Sequence, residues 1–353
     1  MRLPACYHCP VDRWVHRQSG VALITVLLIV FLASMTAISL ATVQQIAIRR
    51  STVLQHQQQA RLYTLGIEQW AGLVLMRDRQ DNQIDHPGEV WANLPATLPV
   101  DEGVLSGKIR DLQGCFNLNN LWRPPPDTKN PENPASNPPS APERPVPANP
   151  PSPTAGKAGL DKAQLQLLQR LLTRLELKPE LAQAMADWID PDPDALFPDG
   201  AEDSDYTVLN PPYLAANQPF THISELRLVK GVTREIYDKL AHLVCALPPG
   251  VALNVNTAPA LILAALDDKL ELADLERSLE ERPAEGYETV DEWMNAVKIT
   301  LDAPTKALLS VDSQYFLLQA EARVGDGRAM LYSTIFRDEN GVRVLRRSFG
   351  HQD

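Results

Sequence analysis

At 353 residues, 44% of them hydrophobic, the chain has room for an anchor and about two domains with a real core. Its 33 Lys and Arg against 44 Asp and Glu leave a formal charge of −11. That balance argues against a nucleic-acid partner.

The chain opens on a short basic leader in which Arg2, Arg13 and Arg17 are opposed only by Asp12. Ser19 to Ile48 then runs without a charge, longer than the ~20 apolar residues that span a bilayer as a helix. Arg49 and Arg50 close the run. The basic flank predicts a cytoplasmic N-terminus and an exported remainder. A cleaved secretory signal is the competing reading, but the apolar run is about twice too long for one and no small-x-small site ends it. The junction Gly20–Val21, a glycine between a basic leader and an apolar helix, resembles the prepilin signal. That resemblance implies a cut after Gly20 by prepilin peptidase, loss of residues 1–20, and methylation of the new amine on Val21. It also implies that residues 21–48 stay as the transmembrane part of a pilin-like stem. Most pilins carry Glu five residues after the cut, where this chain has Thr25. A carboxylate in a fibre core needs the amine of a neighbouring subunit, so Thr25 points to a subunit at a filament tip, with nothing packed ahead of it.

From Arg49 to Arg79 the helix is predicted to continue. Tyr63, Ile67, Trp70 and Val74 recur at spacings of four, three and four, and Leu62, Leu65, Leu73 and Met76 extend the stripe. Anchor and stem together predict one rod of about 59 residues, ~90 Å at the helical rise. DNQIDHPGEV, from Asp81, is turn chemistry. Val104 to Leu121 then reads as short strands with glycine bends. Within it, Asn117, Asn119 and Asn120 are poor strand residues, expected to hydrogen-bond a turn or an adjoining loop. Arg123 to Pro153 holds 13 prolines in 31 residues and reads as an extended, solvated linker.

Residues 156–312 predict an all-helical domain. Asp161 caps a first helix, PELAQAMADWI forms a second, and Asn256 or Thr257 caps another that has Pro259 in its first turn. The stretch around Val229, Lys230 and Gly231 resembles a helix-hairpin-helix, a motif that can meet DNA phosphates. Thr233 stands where its second glycine belongs, and 14 Lys and Arg against 27 Asp and Glu leave the domain at −13. Such a surface repels a phosphate backbone, so the motif reads as a unit for protein packing. The densest cluster is DPDPDALFPDGAEDSDY. It holds Asp190, Asp192, Asp194, Asp199, Glu202, Asp203 and Asp205, with no Lys or Arg among them. Hard oxygen ligands on a flexible loop suit Ca²⁺. Asp190, Asp192, Asp194, Glu202, Asp203 and Asp205 are the expected ligands, although the later positions do not follow an EF-hand. A solvated acidic loop is the alternative.

The cysteines fall in two groups. Cys6 and Cys9 form one C-x-x-C in the leader, a weak zinc signal without a second pair. Cys115 and Cys245 remain on the exported, oxidising side, either as a disulfide or as two free buried thiols. Residues 313–353 alternate apolar and polar, with Gly-Asp-Gly and Asn-Gly turns, and predict a three-stranded meander.

Taken in order, the prepilin-type junction without Glu, GCFNLNNL, ADWIDPDPDALFPDGAEDSDY, PPYLAANQPFTHISELRLVKG and LNVNTA resemble the type II secretion system protein K family of minor pseudopilins. The resemblance spans essentially the whole chain. It implies an α+β fold in which a pilin-like long N-terminal helix packs on a small antiparallel sheet, with a large all-helical domain inserted between strands. The stem helix and first strands would occupy 49–122, the Pro-rich linker 123–155, the insertion 156–312 and the closing strands 313–353. It further implies an inner-membrane, single-pass protein with its bulk in the periplasm. It implies bound calcium and a place at the pseudopilus tip beside minor pseudopilins I and J, in a system exporting folded proteins, without enzymatic activity. A function of another class, a membrane-anchored periplasmic hydrolase using the acidic loop, needs an acid of raised pKa in an apolar cleft. The loop reads as too polar for that, and no Ser-His-Asp or Cys-His signature accompanies it.

Overall fold

The structure is a computed structural model that describes residues 21–123 and 159–350. Gly20 and the rest of the leader, with Cys6 and Cys9, and the Pro-rich stretch beyond Arg123 lie outside the described residues.

A single helix, α1, runs from Val21 to Asp81, 61 residues without a break. Its apolar run, residues 21–48, is exposed and packs on nothing else among the described residues. Four hydroxyls in that run bond back to their own helix: Thr25 to Ala22 O at 2.9 Å, Ser34 to Val30 O at 2.7 Å, Thr36 to Ala33 O at 2.9 Å and Thr42 to Ile38 O at 2.8 Å. Such internal satisfaction is what a bilayer demands of a polar group.

The second half of α1 lies on a five-stranded sheet. Its strands are β1 (Leu98–Val100), β2 (Gly103–Asp111), β3 (Tyr315–Val324), β4 (Gly327–Asp338) and β5 (Gly341–Phe349), each antiparallel to the next in that order. β2 and β3 pair from Gly103↔Val324 to Asp111↔Phe316, although the helical body separates them in sequence. The meander predicted for the tail is present and pairs with the early strands. The sheet face toward α1 carries Leu105, Ile109, Phe316, Leu318, Ala320, Ala322, Val324, Leu331 and Ile335.

The buried side of α1 is rotated away from the predicted stripe. It consists of Ala60, Thr64, Ile67, Glu68, Ala71 and Leu75. Small residues let the helix approach closely: a Cβ on Gly107 of β2 would stand 3.0 Å from Ile67 Cγ2. Of the predicted stripe only Ile67 is buried. Tyr63, Leu65 and Val74 are half-buried, while Leu62 is 67% exposed, Leu73 66% and Met76 42%. The stem therefore has two apolar faces, and the bulkier one points away from the sheet.

The helical body packs α2 (Lys162–Arg174), α3 (Leu181–Asp187), α4 (Asp203–Tyr206), α5 (Arg234–Leu240), α6 (Ala260–Ala264), α7 (Leu272–Glu280) and α8 (Val290–Ala296) around one core, and the short α9 (Ala303–Lys306) adds no buried residue to it. Asp161 caps α2, accepting from Ala163 N at 3.0 Å and Gln164 N at 3.3 Å. Neither Asn256 nor Thr257 caps α6. That helix begins after Pro259, and Asn256 instead bonds Tyr287 through both ends of its amide. The first arm of the predicted hairpin is a 3₁₀ turn, Ile223–Leu228, rather than an α-helix. Gly231 takes φ +84° in the turn, which favours glycine.

The body joins the sheet on the face opposite α1. There Tyr315, Leu317, Tyr332 and Phe336 pack with Leu112, Cys245, Leu247 and Val251. The three asparagines secure the seam. Asn117 donates to Pro248 O at 2.8 Å and accepts from Leu247 N at 3.0 Å. Asn119 exchanges both amide bonds with Phe220, and Asn120 bonds Val251 O and Gly250 N, both at 2.8 Å. Phe116, Leu118 and Leu121 sit in the core of the body, so the insertion starts just after β2, ahead of the sequence-based limit. In the structure Cys115 and Cys245 form a disulfide with Cα atoms 5.9 Å apart, closing 130 residues of sequence.

Candidate metal centre

The acidic loop begins at the end of α3, whose alternation of Ala182, Ala184, Met185 and Ala186 buries the helix on all sides. That burial carries Asp187 inward, to 0% exposure. Asp190 follows one turn later, and the loop returns at Glu202, which precedes α4. Asp190 is 3% exposed and Glu202 4%. One carboxylate oxygen from each of the three lies within 4.8 Å of the others.

The loop is folded tightly around this point. Asp187 Oδ2 accepts from Leu196 N at 3.1 Å and Ala201 N at 2.8 Å. A side chain on Gly200 would collide with that oxygen and with the Leu196 backbone, which accounts for the glycine. Trp188 stands edge-on to Tyr206 at 5.2 Å, and Tyr206 stacks on Tyr213 at 5.4 Å. Lys230, the basic residue of the hairpin turn, donates from its amide to Tyr206 Oη at 3.2 Å and from Nζ to Asp205 at 2.8 Å. The turn that could have met a phosphate holds the acidic loop instead.

Asp187 Oδ1, Asp190 Oδ1 and both Glu202 oxygens are buried without a hydrogen-bond partner among the described residues. Burial pushes the Asp190 carboxyl up to about 8, with Asp192, Asp187 and Glu202 adding to it. Burial, then Asp187, Asp203 and Asp192, raises Glu202 to about 7. Asp187 is raised to about 6, again chiefly by burial and against the two amide bonds it accepts. Three converging carboxylates whose inward oxygens lack a partner among the described residues are unstable as charged groups. A hard divalent cation would satisfy all of them, and the oxygen-only donor set fits calcium.

The expected ligands divide. Asp190 and Glu202 converge at the centre. Asp192 and Asp194 are exposed, with Asp192 Oδ1 accepting from Asp194 N at 3.0 Å. Asp203 Oδ1 accepts from Ala215 N at 2.9 Å, and Asp205 is engaged by Lys230 and by Glu202 N. Asp187 was missed because the sequence places it inside a helix, ahead of the acidic run. Its signal was its i,i+3 spacing to Asp190, which sets two carboxylates on one helical face. The hydrolase reading foundered on a polar loop, yet the three acids are buried with raised pKa values.

The family described as "Type II secretion system (T2SS), protein K" matches residues 114–249 and again 253–312. Type II secretion system protein K of Aeromonas hydrophila is 36% identical over 344 residues, covering 95% of this chain and 98% of that one. The protein of the same name from Pseudomonas aeruginosa is 34% identical over 345 residues, covering 94% and 93%. Among solved structures, the GspK-GspI-GspJ complex from the type 2 secretion system of enterotoxigenic Escherichia coli superposes with a TM-score of 0.68. That match has 30% identity and covers 86% of this chain and 100% of the matched one.

Proposed function

The chain belongs to the type II secretion system protein K family, and on that premise we propose that it is the minor pseudopilin that caps the pseudopilus tip, assembled there with minor pseudopilins I and J. In that role it takes part in moving folded proteins across the outer membrane, as a structural subunit rather than an enzyme. Prepilin peptidase would free it at Gly20–Val21 and leave it held in the inner membrane by α1.

The observation that carries the reading is the outer face of the stem. Leu62, Leu73 and Met76 are exposed on the side of α1 opposite the sheet, in line with the uncovered anchor. Two apolar faces on one helix mean that the folded head satisfies only one of them. A bundle with other pilin-like stems covers the second. Thr25 fits a terminal place in that bundle, because its hydroxyl is satisfied by Ala22 O and calls for no neighbour's amine.

The acidic centre supports a calcium-holding head. Asp187, Asp190 and Glu202 would supply the protein ligands, and calcium would supply the positive charge their burial otherwise lacks.

The test is assembly. The full chain co-expressed with I and J and extracted in detergent is expected to run as one complex of all three by light-scattering mass. Leu73→Glu, which is exposed and leaves the head intact, is expected to abolish that complex. A complex that forms equally well with Leu62→Glu and Leu73→Glu together would overturn the reading.

A further inference from the structure

The sheet face opposite α1 is only partly covered by the helical body, and the uncovered part carries one cross-strand row. The register pairs Arg110 with Leu317, Leu317 with Thr334, and Thr334 with Arg346. The row crosses four strands with an arginine at each end. At the usual strand spacing its two ends stand about 14 Å apart.

A cleft of about 210 Å³ opens over this row, where the body meets the sheet. Leu112, Tyr315 and Leu317 form an apolar floor, and Arg110, Arg346 and His222 stand around it. The register slips between Thr334 and Ile335, leaving Leu345 without a partner on β4. Leu345 and Arg346 both line the cleft as a result. Bulges recur where a sheet re-aims side chains toward a site.

Charge sets the cleft apart from the rest of the molecule. On a chain of net charge −11, none of its lining residues is an acid. Other arginines nearby are paired: Arg337 with Asp78 and Asp85, Arg343 with Asp338, Arg347 with Glu68. Arg110 and Arg346 have no carboxylate partner among the described residues. Arg346 is held by one bond, from Nη1 to Thr221 O at 3.1 Å. Glu225, on the same wall, is committed to the amides of Thr221 and His222 at 2.8 and 2.9 Å. His222 is kept below its ordinary pKa by burial and by Arg346, so the two guanidinium groups supply the charge.

We propose that this cleft binds an extended acidic segment of a partner protein, with two carboxylates flanking one apolar side chain. Residues i and i+4 of an extended chain lie about 13 Å apart on one face, close to the separation of Arg110 and Arg346, and residue i+2 falls between them. The pattern is therefore acid-x-apolar-x-acid. The two acids meet the two guanidinium groups, which pair well with carboxylates, and the central side chain enters the apolar floor. This site is on the head, away from the stem face through which the subunit would bundle. The inference does not depend on the tip assembly.

The probe is a fluorescein-labelled heptapeptide, Gly-Glu-Ser-Leu-Ser-Glu-Gly with capped ends, titrated by anisotropy against the full chain in nanodiscs. It is expected to bind in the micromolar range and to weaken with salt. Replacing both of its Glu by Gln, or its Leu by Ser, should weaken binding at least about tenfold. Arg110→Gln and Arg346→Gln should each do the same, while Arg343→Gln, which is paired to Asp338 outside the cleft, should not. Thermal melting of each variant confirms that the fold survives a surface change. Equal binding of the Glu and Gln peptides, unchanged affinity in both arginine variants, or no binding at millimolar peptide would each overturn the proposal. Binding of octanoate at the same arginines without binding of the peptide would overturn it too, by making the cleft a fatty-acid site.

Discussion

Arg337 Nη2 donates to both carboxylate oxygens of Asp85, each at 2.6 Å, with Arg337 2% exposed and Asp85 1%. The other arm of the guanidinium, Nη1, reaches Asp78 at 2.8 Å and Leu75 O at 3.2 Å. One residue of β4 thereby holds the end of α1 and the loop that follows it. Ser313 extends the network: its amide donates to Asp85 and its hydroxyl to Asp111, both at 2.7 Å. Asn254, from the helical body, donates to Asp85 O at 3.0 Å. Stem, sheet and body meet at this point.

Removing this guanidinium leaves buried carboxylates without the cation they pair with. Arg337→Met is expected to cost about 3–5 kcal/mol, read as a lower urea midpoint. Arg337→Met combined with Asp85→Asn should recover part of the loss, because the charge left behind goes with it. A single variant as stable as the parent would contradict this view of the hub.

The Cys115–Cys245 bond ties the end of the sheet to the helical body across 130 residues. Cys115→Ala with Cys245→Ala is expected to lower stability by about 2–5 kcal/mol. Labelling of the denatured, unreduced parent should find no free thiol in the mature chain. Two labelled thiols per chain would rule out the bond.

Glu68 is the buried charge of the stem. It accepts from Arg347 Nε at 2.8 Å and Nη2 at 2.7 Å, and from Ser333 Oγ at 2.5 Å. Arg347→Ala should cost about 1–3 kcal/mol by leaving that carboxylate with the serine alone. Faster amide exchange along β5 is expected to accompany the loss, since Arg347 is one of the ties of this edge strand to α1, beside Arg61 over the Phe349 ring.

Much of this was legible in the sequence because the signals were local. The long apolar helix, the capped helix after Asp161, and the hairpins of the tail each follow from residues close together in the chain. The asparagines were readable as loop binders because their propensities are poor for the strand predicted there; Asn119 and Asn120 in fact lie in a 3₁₀ turn, Leu118–Leu121, that Asn117 caps. The stem's buried face was not legible. The criterion of bulk picked Leu62 and Leu73, whereas a helix lying close on a sheet selects Ala60, Ala71 and Gly107 for their small size. Asp187 was hidden for a different reason. Its one local mark was the i,i+3 spacing to Asp190, and only the return of the loop at Glu202 turns that pair into a site.

The acidic centre gives a pH dependence of definite sign. Its carboxyls are raised in the folded chain, to about 8 for Asp190, 7 for Glu202 and 6 for Asp187. Groups raised above their unfolded values contribute stability that is complete below about pH 4 and is lost as pH rises through the folded values. In chelator, the melting temperature should therefore fall between about pH 5 and 8. Saturating calcium, which binds the ionised groups, should flatten that slope, and calcium affinity should climb over the same window. A chelated protein whose melting temperature rises through this range would contradict the assignment.

Calorimetric titration of calcium into the fully chelated chain tests the centre most directly. Binding is expected with a rise in melting temperature, to be lost in Asp187→Asn and in Glu202→Gln. Asp161→Asn, which alters a cap far from the loop, should leave it intact, and magnesium should substitute poorly because it demands a tight octahedron. No heat and no calcium-dependent shift in melting, or binding undiminished in Asp187→Asn and Glu202→Gln alike, would contradict the metal centre.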